Sequence, residues 1–178
     1  MQNDLEKILL TEQQLYQKIT EIGSMISEDY KGKDLILIGV LKGSVLFMAD
    51  LLKKITIPCS MDFMAVSSYG NTTQSSGVVR ILKDLDFEIK DKDVLIVEDI
   101  IDSGFTLRYL MEYLKGRDPK SINIACLLNK PDRRKVDMSV KYLGFDIPDY
   151  FVVGYGLDYA EKYRNLPYIG ILKENIYK

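Results

Sequence analysis

Residues 94–107, VLIVEDIIDSGFTL, set two adjacent carboxylates, Glu98 and Asp99, at the end of an aliphatic run, with a third, Asp102, close behind and Ser103, Gly104 and Thr106 after it. The second half has the composition of a phosphate cradle: a glycine for close approach, hydroxyls that donate, and the unpaired backbone N–H groups of a helix start. The first half has the opposite character. Carboxylates at the end of a buried strand are costly to desolvate unless a cation or a polar ligand compensates them. The segment is neither GxxxxGK[ST] nor GxGxxG, so it lacks the signatures of a nucleoside triphosphatase and of a dinucleotide site. The chain has no histidine, which removes Ser-His-Asp triads, Cys-His pairs and HExxH zinc sites. Acid-base chemistry therefore falls to carboxylates, lysine, tyrosine or bound water.

The elements that must hold these residues follow from hydrophobic pattern. Thr11 and Gln14 resemble a capping box, and Leu15, Ile19, Ile22 and Ile26 recur at helical spacing, which predicts a first helix of about four turns ending near Lys31-Gly32. LILIGV (35–40) is a continuous aliphatic run of the kind buried on both faces of a sheet, and SVLFMADLLKK after it reads as a helix. The same order returns in VLIVE (94–98) and FTLRYLMEYLKG, where Leu107, Leu110, Met111 and Leu114 line one helical face. Strands are also expected at 61–66, 78–82, 122–128 and FVVGY (151–155), giving an α/β architecture: a mostly parallel, doubly wound sheet flanked by helices. Open sheets of this kind bind ligands beyond the carboxyl ends of their strands, where residues 98–106 fall. The polar segment SSYGNTTQSSG (67–77) is longer than a tight hairpin needs and reads as a mobile loop or lid.

At 178 residues, with 47% hydrophobic and 28% charged side chains, one globular domain over 1–178 is expected. A balance of 24 basic against 26 acidic residues gives no overall attraction for nucleic acid. Cys59 and Cys126 sit in apolar surroundings without CxxC spacing and read as buried thiols. MQNDLEKILL lacks the basic start and long apolar run of a signal peptide, and no stretch of 18 apolar residues occurs. A cytoplasmic protein without membrane partners is expected.

VLIVEDIIDSGFTL closely resembles the phosphoribosyl pyrophosphate motif of the type I phosphoribosyltransferases, specifically that of the hypoxanthine-guanine phosphoribosyltransferases. GVLKGSVLFMADL, SSYG, LLNKP and IPDYFVVGYGLDYAEKYRNLPYIG match the same family in order, so the resemblance covers almost the whole chain. It implies the family's fold, including a small hood and a flexible catalytic loop. It also implies a reaction, displacement of pyrophosphate from C1 of the ribose by N9 of a 6-oxopurine. In this resemblance residues Asp102, Ser103, Gly104, Phe105 and Thr106 hold the 5′-phosphate, while Glu98 and Asp99 face the 2′- and 3′-hydroxyls and the associated magnesium. Acceptors then meet a diol rather than a phosphate.

The same resemblance makes Asp102 the general base near N7 of the purine, and Lys130 the donor to the 6-oxo group. It gives the base pocket to Phe151 and Val152, a second magnesium held through water to Asp158, and pyrophosphate contacts to Arg164, Lys42 and Gly43, with a Leu-Lys peptide that can be cis. Ser68 and Tyr69 match a pair that closes over the pyrophosphate. Phe105 departs from relatives that carry a lysine there, leaving the cradle to amides and hydroxyls. Homodimers or homotetramers are implied by analogy. The competing expectation is a regulatory protein of the same fold that senses nucleotides and binds RNA, which would show a more basic face and a different base-pocket segment. An orotate or adenine transferase is disfavoured by Lys130.

Overall fold

The computed structural model describes residues 1–68 and 79–178, with Ser68 by its backbone alone. The expectations for the Ser68 side chain, for Tyr69 and for most of the 67–77 loop lie outside the described residues. The aliphatic runs form the centre of the main sheet as β2 (Leu35–Leu41), β5 (Asp93–Ile101) and β6 (Ser121–Asn129). Around them lie β3 (Cys59–Ser68), β4 (Val79–Lys83) and β7 (Tyr142–Asp146), in the order β4-β3-β2-β5-β6-β7. Every neighbouring pair is parallel except β3 with the edge strand β4.

Helices cover both faces, as expected of strands that are apolar on both sides. The predicted first helix is α1 (Glu12–Asp29), 18 residues and about five turns rather than four. Its capping box is formed: Gln14 N–H donates to Thr11 Oγ1 at 3.3 Å and Thr11 N–H donates to the Gln14 side chain at 2.9 Å. Leu15, Ile19, Ile22 and Ile26 of α1, with Phe47, Met48 and Leu51 of α2 (Val45–Leu52), pack on Leu35, Leu37, Leu95 and Val97. Leu107, Leu110 and Leu114 of α3 (Phe105–Lys115) cover Ile36, Ile38, Val94 and Ile96 on the opposite face. Leucines as buried as Leu37 and Leu95 contribute about 1.5–3 kcal/mol each.

The 151–155 run departs from expectation. Only Val152–Val153 is extended, as β8, and it belongs to a separate antiparallel sheet with β1 (Leu5–Leu10) and β9 (Ile169–Leu172), in the order β1-β9-β8. The run cannot continue as a strand because Gly154, Tyr155 and Gly156 take φ values of +100°, 49° and +98°, and successive left-handed residues curl the chain. A Cβ on Gly154 would lie 2.1 Å from the Tyr168 carbonyl oxygen. This small sheet is the hood. A four-residue helix, α4 (Glu174–Tyr177), follows it.

Connectivity decides where a ligand can enter. Adjacent strands β2 and β5 send their next strands in opposite directions, β3 to one side and β6 to the other. Their carboxyl ends therefore part at a topological switch point and leave a crevice.

The far edge of the sheet is tied down by Tyr142, whose hydroxyl donates to Asp29 at 2.7 Å, with the Lys141 ammonium 2.9 Å from the same carboxylate. The Tyr142 hydrogen bond and then Lys141 hold the Asp29 carboxyl below its usual range. A lowered acid stabilises the fold above its unfolded pKa of about 3.9, and that stabilisation disappears as pH falls through the folded value. Tyr142→Phe should cost about 0.5–1 kcal/mol at neutral pH, at the low end for a hydrogen bond because the carboxylate is partly solvated. Urea denaturation should show the gap at pH 7 narrowing as pH falls below about 4, whereas a gap that is the same at neutral and acid pH would contradict the assignment.

Candidate functional site

The crevice is a cavity of about 480 Å³. Strand β5 runs on to Ile101, so Glu98 and Asp99 are residues of the strand itself rather than of the loop after it. Glu98 pairs in register with Cys126 of β6. Burial, and then the neighbouring Asp99 carboxyl, push the Glu98 pKa well above the usual carboxylate range. Burial also raises Asp99, even though Ile100 N–H donates to it at 2.8 Å. Two acids so placed resist ionising together until something positive or proton-donating reaches them.

The turn after β2 brings Lys42 and Gly43 against this pair, and the Leu41-Lys42 peptide is cis. The contact requires glycine: a Cβ on Gly43 would stand 1.7 Å from Asp99 Oδ2. From the other side Gly156 of the hood meets the same backbone, and its Cβ would lie 2.0 Å from the Gly43 carbonyl oxygen. Lys42 itself extends outward to an ion pair with Glu161 at 3.0 Å.

Beyond β5 the chain turns through Asp102, Ser103 and Gly104. Gly104, at φ +87°, caps α3 without a side-chain hydrogen bond to the helix end. Asp102 is therefore not the N-cap, and the first amides of α3 are left for another acceptor. The turn is braced from behind, since Lys135 N–H donates to the Ser103 carbonyl at 3.0 Å.

Lys130 follows the end of β6 in a buried position, with its ammonium 3.5 Å from Asp102 Oδ1 and 3.5 Å from Asp149 Oδ1. Those carboxylates are half exposed, so they offset the buried charge while remaining open to solvent or ligand. From the hood come Phe151, Val152, Asp158 and Arg164. Arg164 donates to the Gly156 carbonyl at 2.8 Å and pairs with Asp158 at 2.9 Å, and its buried Nε has no partner among the described residues.

The cavity wall thus gathers Lys42, Gly43, Glu98, Asp99, Asp102, Ser103, Gly104, Thr106, Lys130, Phe151, Val152, Asp158 and Arg164. The Phe105 side chain, on the first residue of α3, stands 39% exposed and off the cavity wall, which leaves that residue its backbone amide to offer an anion. The helix start turns its side chain out while the Thr106 next to it faces in. Asp149 was passed over in the sequence. A lysine expected to work in a buried setting needs counter-charges, and the IPDY segment beside Phe151 holds one. Glu161, the partner of Lys42, lies in the same quoted run and also drew no role. Among the described residues no group of three His, Cys, Asp or Glu side chains forms a ready-made metal cage.

Comparison with known proteins agrees with this geometry. The model of the phosphoribosyl transferase domain family matches residues 6–160. The hypoxanthine-guanine phosphoribosyltransferase of Bacillus subtilis is 54% identical over 178 residues, 100% of this chain and 99% of that protein. The bifunctional protein TilS/HprT of Listeria monocytogenes is 54% identical over 177 residues, and there the chain spans 27% of the longer protein. The crystal structure of a hypoxanthine phosphoribosyltransferase from Staphylococcus aureus superposes with a TM-score of 0.97 at 53% identity, covering 100% of this chain and 97% of that one. A switch-point cavity that joins an acid pair to an uncapped helix start, together with likeness along the full length, leaves one conclusion: the chain belongs to the phosphoribosyltransferases, and among them to the hypoxanthine-guanine phosphoribosyltransferase family.

Proposed function

We propose that this protein is a purine-salvage transferase that converts hypoxanthine, and guanine, with 5-phosphoribosyl 1-pyrophosphate into the nucleotide and pyrophosphate. The observation that carries the reading is the two-ended cavity. The uncapped amides of α3 and the Thr106 hydroxyl suit the 5′-phosphate, and one short turn away Glu98 and Asp99 suit the ribose hydroxyls. Burial that raises the pKa of both acids fits a place where a proton-donating or positively charged ligand would be favoured.

The same pair fits magnesium. That ion is usually held by one or two carboxylates and completed by water and substrate oxygens, and so does not need a cage built by the protein alone. Glu98 and Asp99 would hold it on the ribose side, and Asp158 would hold a second ion through water beside Arg164. Bound there, magnesium supplies charge neutralisation on the pyrophosphate oxygens. Arg164, whose Nε has no partner among the described residues, and the backbone at Lys42 and Gly43 would bind the leaving pyrophosphate.

On the purine, O6 and N7 lie along one edge. Lys130 and Asp102, 3.5 Å apart, suit that edge as donor and acceptor: the lysine donates to the 6-oxo group, and Asp102 takes or holds the ring proton as N9 bonds to C1. Positive charge developing on the sugar as pyrophosphate departs resembles other glycosyl transfers. Phe151 offers its ring for stacking, and Val152 backbone groups read the base edge. The Ser68-Tyr69 pair closing over the pyrophosphate belongs to this proposal by resemblance alone. So do a homodimeric or homotetrameric assembly and a single domain over 1–178. A cytoplasmic setting is supported by the free thiols of Cys59 and Cys126.

Incubation with phosphoribosyl pyrophosphate, magnesium and each nucleobase in turn should yield nucleotide from hypoxanthine and guanine, and chelation should abolish it until magnesium is restored. Product from uracil, orotate or adenine alone would reject the assignment. Asp102→Asn should lower kcat by about 10² or more, with sugar-phosphate affinity little changed in calorimetry. Lys130→Met removes a charge-assisted hydrogen bond, for which kcat/KM with hypoxanthine should fall about tenfold or more. The ratio of hypoxanthine to adenine turnover should narrow at the same time, and an unchanged ratio would free Lys130 of that role.

A further inference from the structure

Phe151 lines the cavity, but the rings that hold it do not. Tyr177 of α4 stacks on it with centroids 4.6 Å and planes 21° apart, and Tyr159 meets it at 5.6 Å and 88°. Neither tyrosine is part of the cavity wall. The Tyr177 ring thus covers one face of Phe151 without forming part of the cavity wall, and a base stacking on Phe151 must use the face that Tyr177 leaves open.

This arrangement matters because Phe151 is 37% exposed. The χ2 torsion of a phenylalanine is broad, so a ring at a cavity edge does not hold one plane unless something holds it there. A flat platform set in advance reduces the ordering cost of stacking a flat ligand. Offset-parallel and edge contacts are the two favoured aromatic geometries, and Phe151 has both.

Tyr177 can act as a fixed backstop because α4 is anchored at its start. Lys173 N–H donates to the Asp4 carbonyl at 3.0 Å, and its ammonium donates to the Asn3 carbonyl at 2.7 Å. Ile176 and Tyr177 pack on the hood cluster of Leu5, Val153 and Leu172. The helix itself is a single turn at the edge of the fold, with Tyr177 only half-buried. Little of the core depends on that one ring.

We infer that Tyr177 is a positioning residue for the purine: it fixes the plane of Phe151 from behind, so that affinity for the base is set partly by the last helix of the chain. This rests on the reading of the cavity as an oxopurine site. The test is steady-state kinetics on Tyr177→Ala, Tyr177→Leu and Tyr177→Phe in the full chain, with thermal melting alongside. Tyr177→Ala should raise KM for hypoxanthine about five- to tenfold, with kcat, KM for phosphoribosyl pyrophosphate and the melting midpoint held. Tyr177→Leu, which keeps apolar bulk but no ring, should behave the same way, and Tyr177→Phe should restore the unaltered value. An active enzyme whose alanine and leucine variants keep their base KM overturns this inference alone. Parallel rises in both KM values that phenylalanine does not reverse would also overturn it, by showing general loosening. An unaltered protein that makes no nucleotide from any 6-oxopurine takes the underlying reading down as well.

Discussion

The approach of the Asp99 carboxylate to the backbone of Gly43 sets the scale of everything around it. With Gly43 meeting the Asp99 carboxylate on one side and the Gly156 backbone on the other, the turn after β2 has room for no side chain where the main sheet and the hood come together. No side chain could be added at Gly43 without moving a buried acid, nor at Gly156 without moving the turn after β2. Three segments distant in sequence are thereby brought within reach of one small ligand, and hood residues Asp158 and Arg164 face the carboxyl ends of β2 and β5 across it. The curl at residues 154–156 that ends β8 early is what delivers this contact.

Charge is distributed in the cavity by element. The β5 end carries two adjacent acids whose pKa values burial raises. The α3 start carries the positive end of a short helix whose first amides have no side-chain cap. The β6 end carries a buried cation shared between two half-exposed carboxylates, and the hood contributes a guanidinium whose Nε has no partner among the described residues. Four stations of different charge thus line one cavity. The net charge of -2 for the chain as a whole hides this patterning.

Much of this was legible in the residues because the central strands are buried on both faces. LILIGV, VLIVE and INIACLL have no polar side to confuse the reading, and the acid pair stands out at the end of such a run. The hood was less legible. LEKILL alternates imperfectly, IGIL is only four residues long, and the two pair with each other across nearly the whole chain, a relation that local pattern does not carry. Likewise β7 owes its place to Gly144, whose Cβ would fall 2.3 Å from the Leu127 carbonyl oxygen, a close approach that composition alone does not reveal. Phe105 shows the limit of motif reading: neighbours at a helix start point in different directions, and membership in the motif does not make every side chain face the ligand. Asp149 shows the converse, since its part depends on Lys130 being buried, which only the packed structure displays.

The pairing of β1 with β9 has a bearing on how the molecule comes into being. All the strands of the main sheet lie between residues 35 and 146, so during synthesis they can assemble as soon as that length has left the ribosome, whereas residues 5–10 must wait for 169–172 before they have a neighbour. Until then the first strand is an edge with open hydrogen-bonding groups. Phe151, Asp158 and Arg164 leave the ribosome after the main sheet, so the nascent chain completes its scaffold before the wall of its cavity.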